Sequence, residues 1–285
     1  MARKGKSTLD TILREEEENS PAVTDVSIGE LRPLPATNAE LKEKYEEMHA
    51  EGPTAWFDDG AEERETILKM GEPWNMTVLE VGCGECDLAV MIEKRGSPVL
   101  ALDYSETAIN IARERNPSIQ SYVENYRDHQ TRHERLVLQG VLEHLDSPFV
   151  ELKWMMDNLL VDGGDVITSS PMFVNPRGFV WMALNAIGAV MSKTDLHFLN
   201  PWDFEAFAAE EGYKLKWTSC NHSWANGVRM IEDFRRRLPL ALQDGKLPVD
   251  LGKLEDLYIW LSKAGPKIDL GPNLGATAVY KITKG

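Results

Sequence analysis

Short apolar runs alternate with amphipathic stretches over most of the chain. The run Val78–Val81 stops at a Gly-x-Gly, and a stretch with helical spacing follows it before the next apolar run, Val99–Leu102. A run of four or five apolar residues is typical of a buried strand, and apolar positions three to four apart are typical of an amphipathic helix. The same alternation predicts further strands at about 119–123, 135–139, 165–169, 213–219 and 276–282.

Helices are predicted between these strands and ahead of the first one. Their approximate ranges are 38–51, 60–71, 106–115, 147–160 and 201–211. Strands that alternate with helices of this length imply right-handed crossovers and a parallel sheet. The pattern therefore predicts an α/β fold with helices on both faces of a doubly wound sheet.

Three segments depart from this alternation. Residues 1–35 carry charges and prolines with little apolar periodicity, so we expect a flexible N-terminal tail before a single domain over 36–285. Residues 171–200 are apolar and aromatic but irregular, and residues 221–274 are irregular and partly helical. We interpret these two segments as cap insertions in the domain.

Composition limits the class of partner. The 285 residues have a net charge of −15, which repels phosphate backbones and argues against nucleic-acid binding. The basic run Arg235–Arg237 is interpreted as a solvated helix face. No apolar run is long enough to span a bilayer, no secretory signal is evident, and three cysteines cannot form a disulfide framework. We expect a cytoplasmic protein.

The glycine turn after the first strand is the strongest chemical signal. Gly82 and Gly84 allow close approach of the backbone to a ligand, and Asp103 follows about 20 residues later, where a β-α-β unit places a carboxylate for ribose hydroxyls. A dinucleotide fingerprint needs a third glycine at position 87, which is Asp87, so a nicotinamide-dependent oxidoreductase is disfavoured. Cys83 and Cys86 form a C-x-x-C without a second pair, and we predict no metal site.

Two motifs resemble the class I S-adenosylmethionine-dependent methyltransferases. Glu80, Gly82 and Gly84 match the first motif, E/D-x-G-x-G-x-G, whose third glycine is Cys86 here; since cysteine is small, we expect the turn to form. Val141–Leu145, Val-Leu-Glu-His-Leu, resembles the methyltransferases related to the quinone-biosynthesis O-methyltransferases. The resemblance covers about residues 38–220 and the last strand. It implies a Rossmann-like, seven-stranded, mostly parallel sheet with an antiparallel last strand.

The resemblance implies a cofactor, S-adenosylmethionine, and a product, S-adenosylhomocysteine. Glu80 would help to hold the ammonium end, the chain from Gly82 through Cys83 to Gly84 would run along the methionine arm, and Asp103 would accept hydrogen bonds from both ribose hydroxyls. Three further residues complete the expected cofactor site: Tyr104 against the adenine face, Asn125 at the adenine amino group and Gln139 beside the sulfonium.

The acceptor side is less determined by the sequence. His144 is a candidate base because its ordinary pKa lies near neutrality, although it can equally well cap or pack the short turn that holds it. His197 is the second candidate, with a structural role as the alternative. By resemblance, Tyr45, Trp56 and Phe57 are candidates for lining the pocket, or they pack the preceding helices onto the sheet.

The leading hypothesis is a cytoplasmic methyltransferase that acts on a small molecule, and we expect the methylated atom to be oxygen. The alternatives are a methyltransferase-like binding or scaffold protein without turnover, to which Cys86 and Asn125 point, and an enzyme that methylates a protein or tRNA nucleophile. The aromatic and Met content of residues 172–191 suits an apolar lid almost as well as a homodimer contact. The sequence does not identify the acceptor.

Overall fold

The computed structural model describes residues 38–51, 60–192 and 194–284. The predicted tail and the candidate pocket residues Trp56 and Phe57 lie outside these ranges. In chain order the described elements are α1 (Asn38–Glu51), α2 (Ala61–Gly71), β1 (Val78–Val81), α3 (Asp87–Glu93), β2 (Val99–Asp103), α4 (Glu106–Arg115), β3 (Gln120–Val123), β4 (His133–Gln139), α5 (Pro148–Asn158), β5 (Leu160–Pro171), α6 (Pro176–Ala186), α7 (Pro201–Glu211), β6 (Lys214–Cys220), α8 (His222–Asn226), α9 (Val228–Asp244), α10 (Leu251–Ala264) and β7 (Thr277–Thr283).

The strands form one seven-stranded sheet in the order β3-β2-β1-β4-β5-β7-β6. Strands β1 to β5 pair in parallel, and β7 runs antiparallel to both of its neighbours, β5 and β6. The predicted fold class is confirmed. The strand order reverses between β1 and β4, and open α/β sheets bind ligands in the crevice at the carboxyl ends of the strands at such a point.

Local sequence signals set the helix boundaries. Ser105 accepts a hydrogen bond from the amide of Ala108 and so caps α4, and Asn175 caps α6 in the same way through Gly178. Helices α5, α6 and α7 each begin with a proline, whose missing N–H costs nothing in the first turn. Gly212, at φ 70°, ends α7 in the left-handed conformation.

Two apolar layers cover the faces of the sheet. On one face, α2, α3 and α4 pack through buried side chains such as Ile67, Ile92 and Ile109. On the other, α5 and α7 pack through residues that include Leu152 and Phe204, whose ring stacks on that of Tyr280 in β7 with centroids 3.7 Å apart. The central parallel strands are therefore buried on both faces, as their continuous apolar runs predict.

A third apolar cluster lies in the segments interpreted as insertions. Trp181 of α6 packs with Phe234 and Leu238 of α9 and with Tyr258 of α10. The interpretation of residues 171–200 as irregular is wrong for α6, because periodicity alone does not assign a continuous apolar run such as Phe179–Leu184 to a helix or a strand. The two segments thus share one core.

None of the described helices is long and apolar enough to cross a membrane.

A buried ion pair ties the two central strands β4 and β5 together. The Arg135 side chain is 1% exposed, and its Nε and Nη2 donate to the two carboxylate oxygens of Asp165 at 2.5 and 2.8 Å. Its Nη1 donates to the carbonyl of Gly71, and its guanidinium lies 4.7 Å from the centroid of the Trp74 ring. Lys281 also pairs with Asp165, at 3.0 Å. This one arginine connects the sheet to the end of α2.

Removing Arg135 should be strongly destabilising. Arg135→Ala leaves a largely buried carboxylate and a carbonyl without their main partner, so we expect the free energy of unfolding to fall by about 3–5 kcal/mol. Urea denaturation measures it. The control is Lys153→Ala, which breaks exposed ion pairs and should cost at most about 1 kcal/mol. A loss for Arg135→Ala as small as that of the control contradicts the assignment.

Candidate functional site

The turn between β1 and α3 lies at the reversal of strand order. Gly82 and Gly84 have φ values of 70° and 51°, a region that non-glycine residues rarely adopt. A Cβ on Gly82 would lie 2.7 Å from Cγ2 of Val141, so the turn and the end of β4 are in direct contact. Among the described residues, a Cβ on Gly84 would come within 4 Å of one atom, Cε1 of His49 at 3.7 Å, so this backbone has room beside it.

Cys86 occupies the third glycine position and keeps its conformation. Its φ is 67°, and its side chain is fully buried with Sγ 3.5 Å from Sγ of Cys83. The expectation that the turn forms despite the substitution agrees with this geometry. The contact with Cys86 and burial raise the pKa of the Cys83 thiol well above its usual value. Both cysteines are free thiols that fill the inside of the turn.

Glu80 is a buried carboxyl group in the middle of β1. It is 2% exposed, it accepts a hydrogen bond from the backbone of Ala89, and its Oε2 has no hydrogen-bond partner among the described residues. Burial raises its pKa well above the usual value, and the nearby Cys86 and Asp103 raise it further. A buried carboxyl oxygen without a partner is suited to a ligand that brings a positive charge or hydrogen-bond donors.

Asp103 ends β2 and faces the glycine turn. Its Oδ2 accepts from the amide of Gly84 at 2.9 Å, and its Oδ1 accepts from the amide of Ser105 at 2.8 Å. Burial raises the pKa of Asp103, and these hydrogen bonds oppose the shift. Each carboxylate oxygen has two lone pairs, so both can still accept from a ligand.

Helix α1 packs over this part of the site through a residue, Glu46, that the sequence did not single out. Its Glu46 accepts from the amides of Glu106 and Thr107 at 2.8 and 3.1 Å and from Oγ of Ser105 at 3.0 Å. Burial tends to raise the pKa of Glu46, but these hydrogen bonds prevail and lower it. A carboxylate at a helix N-terminus is favoured by the helix dipole. Glu46 therefore holds α1 on the first turn of α4.

One cavity of about 1670 Å³ connects these groups. Its lining contains all eight predicted cofactor residues and one of the two candidate bases: Glu80, Gly82, Cys83, Gly84, Asp103, Tyr104, Asn125, Gln139 and His144. Tyr45 lines it as well, with its ring edge-on to that of Tyr104 at 6.2 Å.

Two further predicted cofactor residues, Asn125 and Gln139, also form hydrogen bonds within the protein. Asn125 Oδ1 accepts from the amide of Arg127 at 2.9 Å, and Gln139 Nε2 donates to Glu63 Oε2 at 3.1 Å. The amide nitrogen of Asn125 remains a donor, and the carbonyl oxygen of Gln139 remains an acceptor. Their predicted contacts with a cofactor stay predictions.

The hydrogen bonding of His144 defines its tautomer. Its Nδ1 lies 3.0 Å from the carbonyl oxygen of Thr194 and 3.5 Å from Oδ1 of Asp195. Both neighbours are acceptors, so Nδ1 carries the hydrogen in the neutral ring and Nε2 carries the lone pair. The ring edge of Tyr45 packs against His144 with centroids 5.6 Å apart. His144 is thus oriented as a base would be.

His197 lies elsewhere. Its Nε2 is 3.2 Å from the carbonyl oxygen of Asp146, and His197 is not among the described residues that line the cavity. The structure therefore brings only one of the two candidate bases to the predicted cofactor residues.

Several cavity residues escaped the sequence reasoning. Glu143 is buried, and its Oε2 has no hydrogen-bond partner in the part of the chain that the structure describes. Burial, followed by the charge of Asp195, raises the pKa of Glu143 well above the usual value. The run Arg235–Arg237 was interpreted as solvated. That is correct for Arg235 and Arg236, which are both exposed, and Arg235 pairs with Glu255 at 2.7 Å. It is wrong for Arg237, which is partly buried. Arg236 and Arg237 also line the cavity, a position that the sequence did not indicate. The phase of α9 relative to the cavity, which decides this, is a tertiary property.

Comparisons with known proteins were made for the chain. A family model described as a methyltransferase domain matches residues 78–164. None of the curated proteins compared matches. A candidate methyltransferase from Bacillus halodurans is 14% identical with a TM-score of 0.52, over 78% of this chain and 98% of that chain. A cyclopropane synthase from Mycobacterium tuberculosis is 15% identical with a TM-score of 0.51, over 78% and 82%.

A third solved structure is a phosphoethanolamine N-methyltransferase from Haemonchus contortus in complex with S-adenosylmethionine. It is 13% identical with a TM-score of 0.50, over 78% of this chain and 52% of that chain. At such identities the likeness shows the fold alone. The family match covers the glycine turn, Asp103 and His144, and it confirms the prediction of an enzyme, a methyltransferase that depends on S-adenosylmethionine.

Proposed function

We propose that this enzyme methylates a small-molecule acceptor at oxygen and that His144 takes the proton from the acceptor hydroxyl. The observation that carries the proposal is the arrangement of His144, whose Nδ1 faces two acceptors and whose Nε2 is left with the lone pair. A neutral hydroxyl must lose its proton to become a good nucleophile, whereas methyl transfer to an unprotonated amine needs no such base. The likeness of Val141–Leu145 to the quinone-biosynthesis O-methyltransferases supports the same acceptor atom.

The residues present fit the cofactor. Oε2 of Glu80 is buried without a partner, as a site for an ammonium group requires, and the backbone at Gly84 is open to a ligand. Asp103 has lone pairs left for ribose hydroxyls. When bound, S-adenosylmethionine supplies an electrophilic methyl group on a sulfonium. Since the sulfonium needs no phosphate cradle, the acidic character of this part of the cavity is compatible with it.

The remaining work falls to residues on the acceptor side. Asp195, 3.5 Å from Nδ1 of His144, would stabilise the imidazolium that forms when Nε2 takes a proton. Tyr45 covers the ring on one side. Most of the barrier reduction in such a transfer can come from holding the acceptor in line in a site without water.

Two other interpretations make different predictions. A cofactor-binding scaffold would bind S-adenosylhomocysteine without turnover on any acceptor, and an enzyme for protein or tRNA would release product only with a macromolecule. The cytoplasmic location and a homodimer stay predictions.

Replacing the two histidines separates their roles. Release of S-adenosylhomocysteine is measured with a panel of phenols and hydroxy acids, and the best acceptor is kept. We expect His144→Gln to lower kcat by about 10²–10⁴-fold, the range for loss of a general base. His197→Gln is the matched control and should leave kcat within about twofold, because His197 does not line the cavity. The reverse order would reject the assignment, and an acceptor panel without any turnover would reject small-molecule methylation.

The carboxylate of Asp103 should be required for cofactor binding. Asp103→Asn replaces one acceptor oxygen with a donor that faces the amides of Gly84 or Ser105. We expect affinity for S-adenosylhomocysteine to fall by about 10–100-fold, the equivalent of one or two charge-assisted hydrogen bonds. Calorimetry measures it, with the exposed Asp128→Asn as the control. Unchanged affinity in Asp103→Asn refutes the ribose assignment.

The buried Glu80 carboxyl should lower the stability of the cofactor-free protein as pH rises and should be needed for cofactor binding. The pKa of Glu80 is raised in the folded protein. As pH rises above the usual glutamate pKa, the unfolded state therefore releases a proton that the folded state still holds. The free energy of unfolding falls with rising pH until the folded pKa is reached. Glu80→Gln removes this loss. Without cofactor, its free energy of unfolding should gain on that of the wild type between pH 5 and pH 8, while its affinity for S-adenosylhomocysteine falls.

Urea denaturation at both pH values and calorimetry test the role of Glu80 together. A variant that loses stability relative to the wild type as pH rises contradicts the sign of the pKa shift. A variant with unchanged affinity contradicts the proposed contact with the ammonium end.

A further inference from the structure

One wall of the cavity carries three arginines that have no role in the proposed methyl transfer. Arg177 comes from the first turn of α6, and Arg236 and Arg237 come from α9. All three line the same cavity as His144. We call this set the arginine wall.

The arginine wall surrounds a single buried carboxylate. Asp233 is 2% exposed, and its Oδ2 lies 2.9 Å from Nε of Arg177. Its Oδ1 lies 3.4 Å from Nη1 of Arg237 and 3.6 Å from Nη2 of Arg236. Three guanidinium groups therefore share one carboxylate, which leaves an excess of positive charge at the cavity surface.

Within the wall, Arg237 is fixed by further contacts, whereas Arg236 is exposed. Arg237 also donates to the carbonyl of Met191, and its guanidinium lies 5.0 Å from the centroid of the buried Trp181 ring. Fixed guanidinium groups lose little conformational entropy when they bind a ligand. A solvated helix face, the expectation from sequence, would not show such contacts.

The two Nη groups of Arg177 donate no hydrogen bond to the described residues. Its side chain is only 11% exposed, and Nε is its one hydrogen-bonding atom, toward Asp233. Among the described residues, none accepts a hydrogen bond from its two Nη groups. Burial lowers the pKa of Arg177, and Asp233 opposes that shift. Because Arg177 lines the cavity, these N–H groups are available to an acceptor on a ligand there.

Other charges near the wall do not cancel the excess. Asp195 lies close enough to Arg177 to act on it electrostatically, which makes three positive groups against two negative ones. Asp244 also lines the cavity, but it is seven residues beyond Arg237 and so about 10 Å further along the axis of α9. Lys42 and Lys44 of α1 line the cavity and add positive charge.

We propose that the arginine wall binds an anionic group, a carboxylate or a phosphate, on the methyl acceptor. This inference rests on the proposed function, because it assigns the acceptor to the cavity that holds His144. The guanidinium fork matches the geometry of both oxyanions, and Arg177 offers two Nη groups for it. A protein with a net charge of −15 repels anions in general, so a local positive wall is needed to admit one.

The test is binding of small anions to the protein saturated with S-adenosylhomocysteine. The probes are benzoate, its uncharged analogue benzamide, and inorganic phosphate, followed through the arginine Nε–H signals in NMR. We expect one of the anions to shift the signals of the wall in a saturable way, with an affinity at least about tenfold above that of benzamide. The anion that binds more tightly tells carboxylate from phosphate.

Neighbouring arginines provide the variants and their control. Arg236→Gln leaves Asp233 with two arginine partners, and Arg177→Lys keeps the charge but loses the fork; each should weaken anion binding by about tenfold. Arg235→Gln changes the exposed arginine that pairs with Glu255, and it should leave binding within about twofold.

The inference is overturned if neither anion binds, if benzamide binds as well as benzoate and phosphate, or if Arg235→Gln weakens binding as much as Arg236→Gln. The affinity for S-adenosylhomocysteine is measured for every variant. Retained cofactor binding without anion binding rejects the arginine wall alone, whereas a wild type that does not bind the cofactor rejects the proposed function.

Discussion

The fold and the site both depend on how tightly the chain can turn where β1 ends. Three of the five residues from Gly82 to Cys86 have positive φ, and the last of them is a cysteine. The turn must be this tight because Gly82 has the end of β4 against it, with no room for a Cβ beside Val141. This tight turn leaves room for the crevice at the carboxyl ends of β1 and β4, where the strand order of the sheet reverses. The cost of a left-handed cysteine is offset by the burial of its thiol against Cys83.

Charge divides the cavity into two parts with opposite character. Near the glycine turn, burial raises the pKa values of Glu80 and Asp103, and nearby acidic groups raise both further. A ligand with a positive charge would lower both pKa values. Near α6 and α9, guanidinium groups outnumber the carboxylates beside them. The proposed cationic methyl donor would be attracted to the glycine turn, and the proposed anionic acceptor to the arginine wall. His144 lines the same cavity.

The sequence predicted what short-range signals determine. The glycine turn, Asp103 and the strands of the sheet come from local runs of apolar residues and from motifs of a few residues, and these lie where the pattern indicated. Helix α6 was missed because periodicity alone does not assign its continuous apolar run to a helix or a strand. Glu46 was missed because its partners at the start of α4 are about 60 residues away. The choice between His144 and His197 depends on which of the two rings lines the cavity, and residue type does not determine that.

The run Arg235–Arg237 shows that residue type and sequence position do not determine a side chain's surroundings. Arg235, Arg236 and Arg237 are identical in type and adjacent in sequence, yet the first pairs with Glu255 outside the cavity and the other two turn toward Asp233. What separates them is the phase of α9, and that phase is fixed by Phe234 and Leu238, which pack on Trp181 of α6 and on α10. The two segments that depart from the regular alternation thus build one core together. Since that core orients the arginine wall, a substitution inside it would change which acceptor the cavity admits without touching the residues proposed for the cofactor.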